Sequence, residues 1–213
     1  MPFTPVIGIS GYAGFRVLEK VAPRQREVFD RSPDLVRNIE YFRANIEKAT
    51  SAEALVKDRK LLTVALGAFG LGEEIDKRAL VQRIIESDPS DARSIVNRLN
   101  DPRYKALTRA FDYGGITGGA IVLSSTFREE IIAQYKSLEF ERAVGDADPD
   151  FRLALNFKRE IAPIAAGESV ERVGWLQTLG QLPVRTLISK AFGLPEAVAK
   201  LDIDKQVELF ERR

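Results

Sequence analysis

TSAEALVKDRKLLTVALGAFGL, residues 50–71, reads as a helix with both of its ends written into the sequence. Thr50 and Glu53 have capping-box spacing: the hydroxyl takes a first-turn amide and the glutamate reaches back to the cap amide. Leu55, Leu62, Leu66 and Phe69 recur as a buried stripe. Gly70 then supplies a left-handed residue, and Leu71 folds back on the last turn as in a Schellman motif. A segment so fully specified as helix sets the expectation for its neighbours.

The same grammar recurs along the chain. A first helix is expected from Phe15, with Phe15, Leu18, Val21, Val28 and Phe29 on one apolar side and Pro23 bending or interrupting it. Ser32-Pro33 opens a second helix carrying Leu35, Ile39, Phe42 and Ile46. Beyond Gly70 a helix from about Glu74 to Glu86 and a shorter one from Ser90 or Asp91 to about Asn100 follow. Asp101-Pro102 then repeats the cap-plus-proline signal. Gly114-Gly115-Ile116-Thr117-Gly118-Gly119 is the clearest break, a flexible connection that divides lobes 15–113 and 120–213. Ala120–Leu123 fits a short strand, although an isolated apolar run has no decisive period. Thr126 to Glu129 is a second capping box, opening a helix to about Val144, and Asp148-Pro149 opens the next, with Pro163 kinking or ending it. Helices around Val173, Leu176 and Leu179, from Pro183 to Phe192, and after Asp202 complete the chain. The expected fold is all-α, nine to eleven helices in an irregular multi-helix bundle, without the period-2 alternation of a sheet. Ala68-Phe69-Gly70-Leu71 recurs at Ala191-Phe192-Gly193-Leu194, with a weaker copy at Ala110-Phe111. A good way to end a buried helix and an ancestral duplication both account for this.

The composition narrows the chemistry. The chain has 213 residues with no histidine and no cysteine, which removes the side chains most used for zinc ligation, thiol chemistry and near-neutral proton transfer. No cofactor or metal is expected. Lys and Arg number 32 against 31 Asp and Glu, so there is no whole-chain field to draw in a phosphate backbone, and nucleic acid is not an expected partner. No apolar run approaches the roughly 20 residues that span a bilayer, and membrane insertion is not expected. Residues 1–14, with Pro2, Pro5, Gly8, Gly11 and Gly14, read as a flexible arm rather than a signal peptide or a phosphate-cradling loop.

NIEYFRANI (38–46), the 50–71 segment, SIVNRLNDPRYKALTRAF (94–111), FERAVGD (140–146), FRLALNFKREI (151–161), GWLQTLGQLPVRTL (174–187), KAFGLP (190–195) and LDIDKQVELFE (201–211) resemble a bacterial family of domains of unknown function associated with alphaproteobacterial flagellar gene neighbourhoods. These motifs are caps, helix ends and core positions, and none is a catalytic signature. The resemblance implies an all-α protein tied to motility or flagellar assembly. It would sit in the cytoplasm, or with the flagellum after export without a cleaved signal.

Several residues are candidate partner contacts for a non-catalytic interaction or assembly protein. Phe3, Ile7, Ile9 and Tyr12 would anchor an arm that orders on binding. Arg98 and Arg103 belong to a basic cluster with Arg93, Lys105 and Arg109, which reads as solvated helix faces or an acidic-partner surface. Trp175 is core packing or, if exposed, an interaction anchor. One alternative is a peptidoglycan-cleaving glycosidase built on two carboxylates, with Glu73-Glu74, Glu129-Glu130 or Asp146/Asp148/Asp150 as its acids. A second is an export chaperone or adaptor with an exposed apolar groove.

Overall fold

A computed structural model describes residues 4–99, 101–166 and 172–212. Among them there are twelve α-helices and no strand: α1 (Gly11–Asp30), α2 (Pro33–Asn45), α3 (Ala52–Lys57), α4 (Arg59–Gly67), α5 (Arg78–Ile85), α6 (Ile95–Arg98), α7 (Pro102–Phe111), α8 (Ser125–Ala147), α9 (Pro149–Ala165), α10 (Arg172–Gly180), α11 (Leu182–Ala191) and α12 (Ile203–Glu211). The all-α expectation holds. The expected end of the Ser90 helix, Asn100, lies outside the described residues.

The chain divides into two compact units, Met1–Val6 with Arg16–Ala143, and Ile7–Phe15 with Val144–Arg213. In the first, α2 packs on α4, and α5 packs on α3 and α7. Phe42, Leu62, Ile84 and Phe111 are fully buried there. In the second, α9, α10, α11 and α12 enclose Leu179, Val184, Ile188, Val198, Val207 and Phe210.

Helix ends follow the local rules closely. Asp101, Asp148 and Asp202 each accept first-turn amides, and Pro102 and Pro149 follow the first two. After α4 the Leu71 amide bonds the Leu66 carbonyl at 2.9 Å and the Gly70 amide bonds Gly67 at 3.1 Å, with Gly70 at φ +68°. After α11 the same pair recurs, Leu194 to Ser189 at 2.8 Å and Gly193 to Lys190 at 3.1 Å, with Gly193 at φ +62°. Both are Schellman ends. The weaker third copy also terminates in the left-handed region, at Asp112 with φ +50°. An added Cβ would meet only Arg103 Cδ, at 4.0 Å, at Gly70, and nothing within 4 Å at Gly193. Gly70→Ala and Gly193→Ala should therefore each cost only the left-handed penalty, about 1–2 kcal/mol by urea unfolding. Asparagine at either site should recover part of it.

Elsewhere the structure departs from the sequence expectations. The 50–71 segment is two helices, because Asp58 adopts an extended conformation (φ −91°, ψ 99°). Its Oδ1 accepts from the Lys60 and Leu61 amides, and the Tyr41 hydroxyl donates to its Oδ2 at 2.7 Å. Ser51, not Thr50, caps α3, while Glu53 pairs with Lys57 at 2.6 Å instead of closing a box. The second expected box also shifts: Ser124 Oγ takes the Phe127 amide, and Glu129 faces Arg43. The helix expected from Glu74 starts at Arg78, after a 3₁₀ turn over Gly72–Glu74, and Ala120–Leu123 is a 3₁₀ turn rather than a strand.

The glycine-rich segment 114–119 lies inside the first unit rather than between the two. It is also tightly held. Asp112 Oδ2 accepts from the Thr117 amide (2.9 Å) and hydroxyl (2.7 Å), and the Gly119 amide bonds the Asp112 carbonyl at 3.1 Å. Helix α1 begins at Gly11, four residues before expectation, and continues through Pro23. Likewise α9 continues past Pro163 to Ala165. On α1, Leu18, Ala22 and Phe29 are buried, whereas Val28 is exposed and Val21 only half-buried, so the valines do not share the core side.

Candidate interaction surface

Within residues 4–10, Pro5, Val6 and Ile9 make specific contacts. Pro5 is buried, and the Gln25 side chain brackets Val6, accepting its amide at 3.0 Å and donating to its carbonyl at 3.1 Å. Gly14 lies so close under the Ile9 carbonyl that a Cβ would overlap it, and the Phe15 and Phe151 rings meet edge to face at 5.8 Å. On this ordered stretch Ile7 is half-buried, while Ile9 and Tyr12 are 60% and 79% exposed. Phe3 lies outside the described residues.

The basic cluster separates into different roles. Arg103 grips Asp101 (Nη2 to Oδ2, 2.8 Å) and donates to the Gly70 carbonyl at 2.7 Å, thereby fixing the end of α4. Partial burial works against ionising Asp101, but the Arg103 side chain and backbone amide outweigh it and hold the carboxyl below its ordinary range. Arg98 is exposed in the last turn of α6. Trp175 packs on the core of the second unit, its ring 5.7 Å from that of Phe210, while the neighbouring Leu176 is exposed.

Four of the candidate acids have structural roles, while Glu73 and Glu130 are exposed. Glu129 forms a two-point pair with Arg43 (2.9 and 2.8 Å), which draws its carboxyl below the usual range. Glu74 pairs with Lys77 at 3.0 Å, and Asp150 lies 3.6 Å from Lys190. Asp148 is the cap of α9. No group of three or more acidic residues with metal-holding geometry occurs among the described residues.

Four tyrosines are perturbed in the same direction, Tyr41 upward through its hydrogen bond to Asp58 and three others chiefly by burial. Burial, followed by the charge of Glu139, pushes the Tyr135 phenol up to about 12, although Asn38 donates to its oxygen at 3.0 Å. Burial and a hydrogen bond to Glu74 carry Tyr104 to about 12, and burial raises Tyr113 as well. A phenol that holds its proton more tightly when folded stabilises the protein fully below the unfolded value near 10, and loses that contribution as pH rises through the folded value. Stability should thus fall steeply from about pH 10 to 12. Urea midpoints across that range check this, and Tyr135→Phe should make the fall shallower.

These features define an all-α, multi-helix protein whose charged residues largely serve caps and ion pairs. A profile described as protein of unknown function (DUF1217) matches residues 68–213, and the chain belongs to that family. A crystal structure of an Agrobacterium tumefaciens protein, solved as a structural-genomics target, is similar at a TM-score of 0.76 and 26% identity, covering 99% of this chain and 87% of that one. No curated protein matches the chain.

The sequence reading missed the outer face of α1. Its signal was Val17, Lys20, Val21, Arg24 and Val28, a second helical stripe offset from the Leu18–Ala22–Phe29 stripe.

Proposed function

We propose that this protein is a non-catalytic interaction protein of the bacterial flagellar system, which works by presenting ordered helix faces to another protein. The observation that carries the reading is that each candidate group has a member engaged structurally: Asp148 in a cap, and Glu74, Glu129 and Asp150 in ion pairs. A glycosidase needs two carboxyls flanking one bond, about 5–5.5 Å apart for retaining or 6.5–9.5 Å for inverting chemistry. A carboxylate that caps a helix or pairs with a lysine or arginine is held for structural work instead. The flagellar part of the proposal is supported by the motif resemblance of residues 38–211.

Affinity capture of the chromosomally tagged protein, paired with swimming assays of a deletion strain, tests this. A flagellar component recovered with the protein, together with impaired swimming, is expected. Normal swimming and no flagellar partner would overturn it, as would peptidoglycan hydrolysis by the pure protein that a single acid-to-amide change abolishes.

A further inference from the structure

We infer that the outer face of α1 is a docking site for an acidic amphipathic helix of a partner protein. The inference deepens the interaction reading above and rests on it. Val17 and Val28 are 49% and 58% exposed on this helix, with Val21 half-buried between them. At about 100° per residue the three fall within about 40° of one another, in a stripe about 100° around the helix from that of Leu18, Ala22 and Phe29. Val6, 76% exposed, is held against the same helix by the two Gln25 hydrogen bonds and widens the strip. From Val17 to Val28 the strip runs about 17 Å, three turns of helix.

Nothing in the economy of a lone helix explains these valines. Valine is a weaker helix former than alanine, leucine or lysine by up to about 0.7 kcal/mol, and at an exposed position no core contact compensates. The flank of the strip is basic. Lys20, Arg24 and Arg31 are all exposed on one side of it, with Glu27 the acid on that side. No carboxylate among the described residues pairs with any of the three cations, whereas Arg16, Arg26 and Arg37 all have partners within the fold.

An apolar strip beside a row of cations that no described carboxylate pairs complements a helix bearing an apolar ridge edged by glutamate or aspartate. A bilayer surface suits it less. Helices that lie in the membrane interface sink about 5–10 Å on long or aromatic side chains. The adjoining side of α1 is fixed in a protein core through Leu18, Ala22 and Phe29, and the strip offers only short, flat valines.

Fluorescence anisotropy on the full chain tests the assignment. The probe is a labelled 21-residue peptide with leucine at heptad a and d positions and glutamate at e and g; its counterpart carries lysine in place of glutamate. The acidic peptide should bind saturably. Lys20→Glu with Arg24→Glu should weaken it at least tenfold and transfer preference to the lysine peptide. Val17→Ser with Val28→Ser should also weaken it at least tenfold, with circular dichroism showing an intact fold. Several results would overturn the inference: no saturable binding of the acidic peptide, or binding indifferent to both double variants. Binding to phosphatidylglycerol vesicles that the same changes abolish would assign the face to lipid. A dimer that the valine changes dissolve would assign it to a second copy. Failure of the wider reading appears separately, in the capture and swimming assays, which do not depend on where on the surface a partner sits.

Discussion

Phe111→Ala is expected to destabilise the protein by about 3–5 kcal/mol, the range for removing a fully buried phenylalanine. Phe111 is 0% exposed at the end of α7, where its ring meets Phe127 edge to face at 5.1 Å and stacks on Tyr113 at 5.7 Å. Collapse of the surroundings cannot readily fill the void. Tyr113 is tied by its hydroxyl to the Ala49 carbonyl at 2.6 Å, and Phe127 sits in the first turn of α8, whose amide Ser124 caps. Urea unfolding measures the loss, and Phe111→Leu should retain most of the stability because it replaces much of the volume.

Gly119→Ala is expected to cost about 2–5 kcal/mol, the sum of a left-handed penalty and overpacking against groups that cannot yield. Gly119 has φ +86°, and a Cβ there would overlap the Tyr113 ring and stand 2.8 Å from the Thr50 carbonyl. Both neighbours are restrained, the ring by Phe111 on its face and by the hydrogen bond at its hydroxyl. Gly118 makes the control. It also lies at positive φ (+56°), but an added Cβ there meets nothing within 4 Å, so Gly118→Ala should cost only the conformational part, about 1–2 kcal/mol. Thermal melts of the pair separate the two contributions; equal losses would mean that Tyr113 moves aside.

The elements that could be read from sequence are those fixed by contacts within a single turn. Caps at Asp101, Asp148 and Asp202 and the glycine ends at Gly70 and Gly193 involve hydrogen bonds spanning two to five residues, so the local residues decide them. Where two hydroxyls compete, as at Thr50 and Ser51 or at Ser124 and Thr126, the chemistry is right and the register moves. Asp58 shows a different limit. Its break of the 50–71 helix is assisted by Tyr41, seventeen residues away, and that partnership has no local signature.

The glycine-rich segment shows a related limit of composition. Its composition signals freedom, yet Asp112 and the packed positions Gly114 and Gly119 make the same glycines instruments of close approach. Gly114 lies so tightly on the Glu86 carbonyl that no side chain would fit. Of the candidate contacts, Ile9, Tyr12 and Arg98 are exposed, whereas Arg103 and Trp175 serve helix ends and core. On α1, apolar periodicity alone joined Val21 and Val28 to the core stripe, because 3.6-residue spacing admits two neighbouring stripes and only packing chooses between them.

Cross-linking mass spectrometry of the native protein in its host, with an amine-reactive reagent, addresses the central proposal most directly. Lys20 lies in the α1 face and supplies the reporting amine. Reproducible cross-links from Lys20 to a single partner protein, at a segment rich in glutamate or aspartate and helical in its own fold, are the predicted result. Cross-links confined to this chain, with Lys20 modified only by hydrolysed reagent, would contradict it.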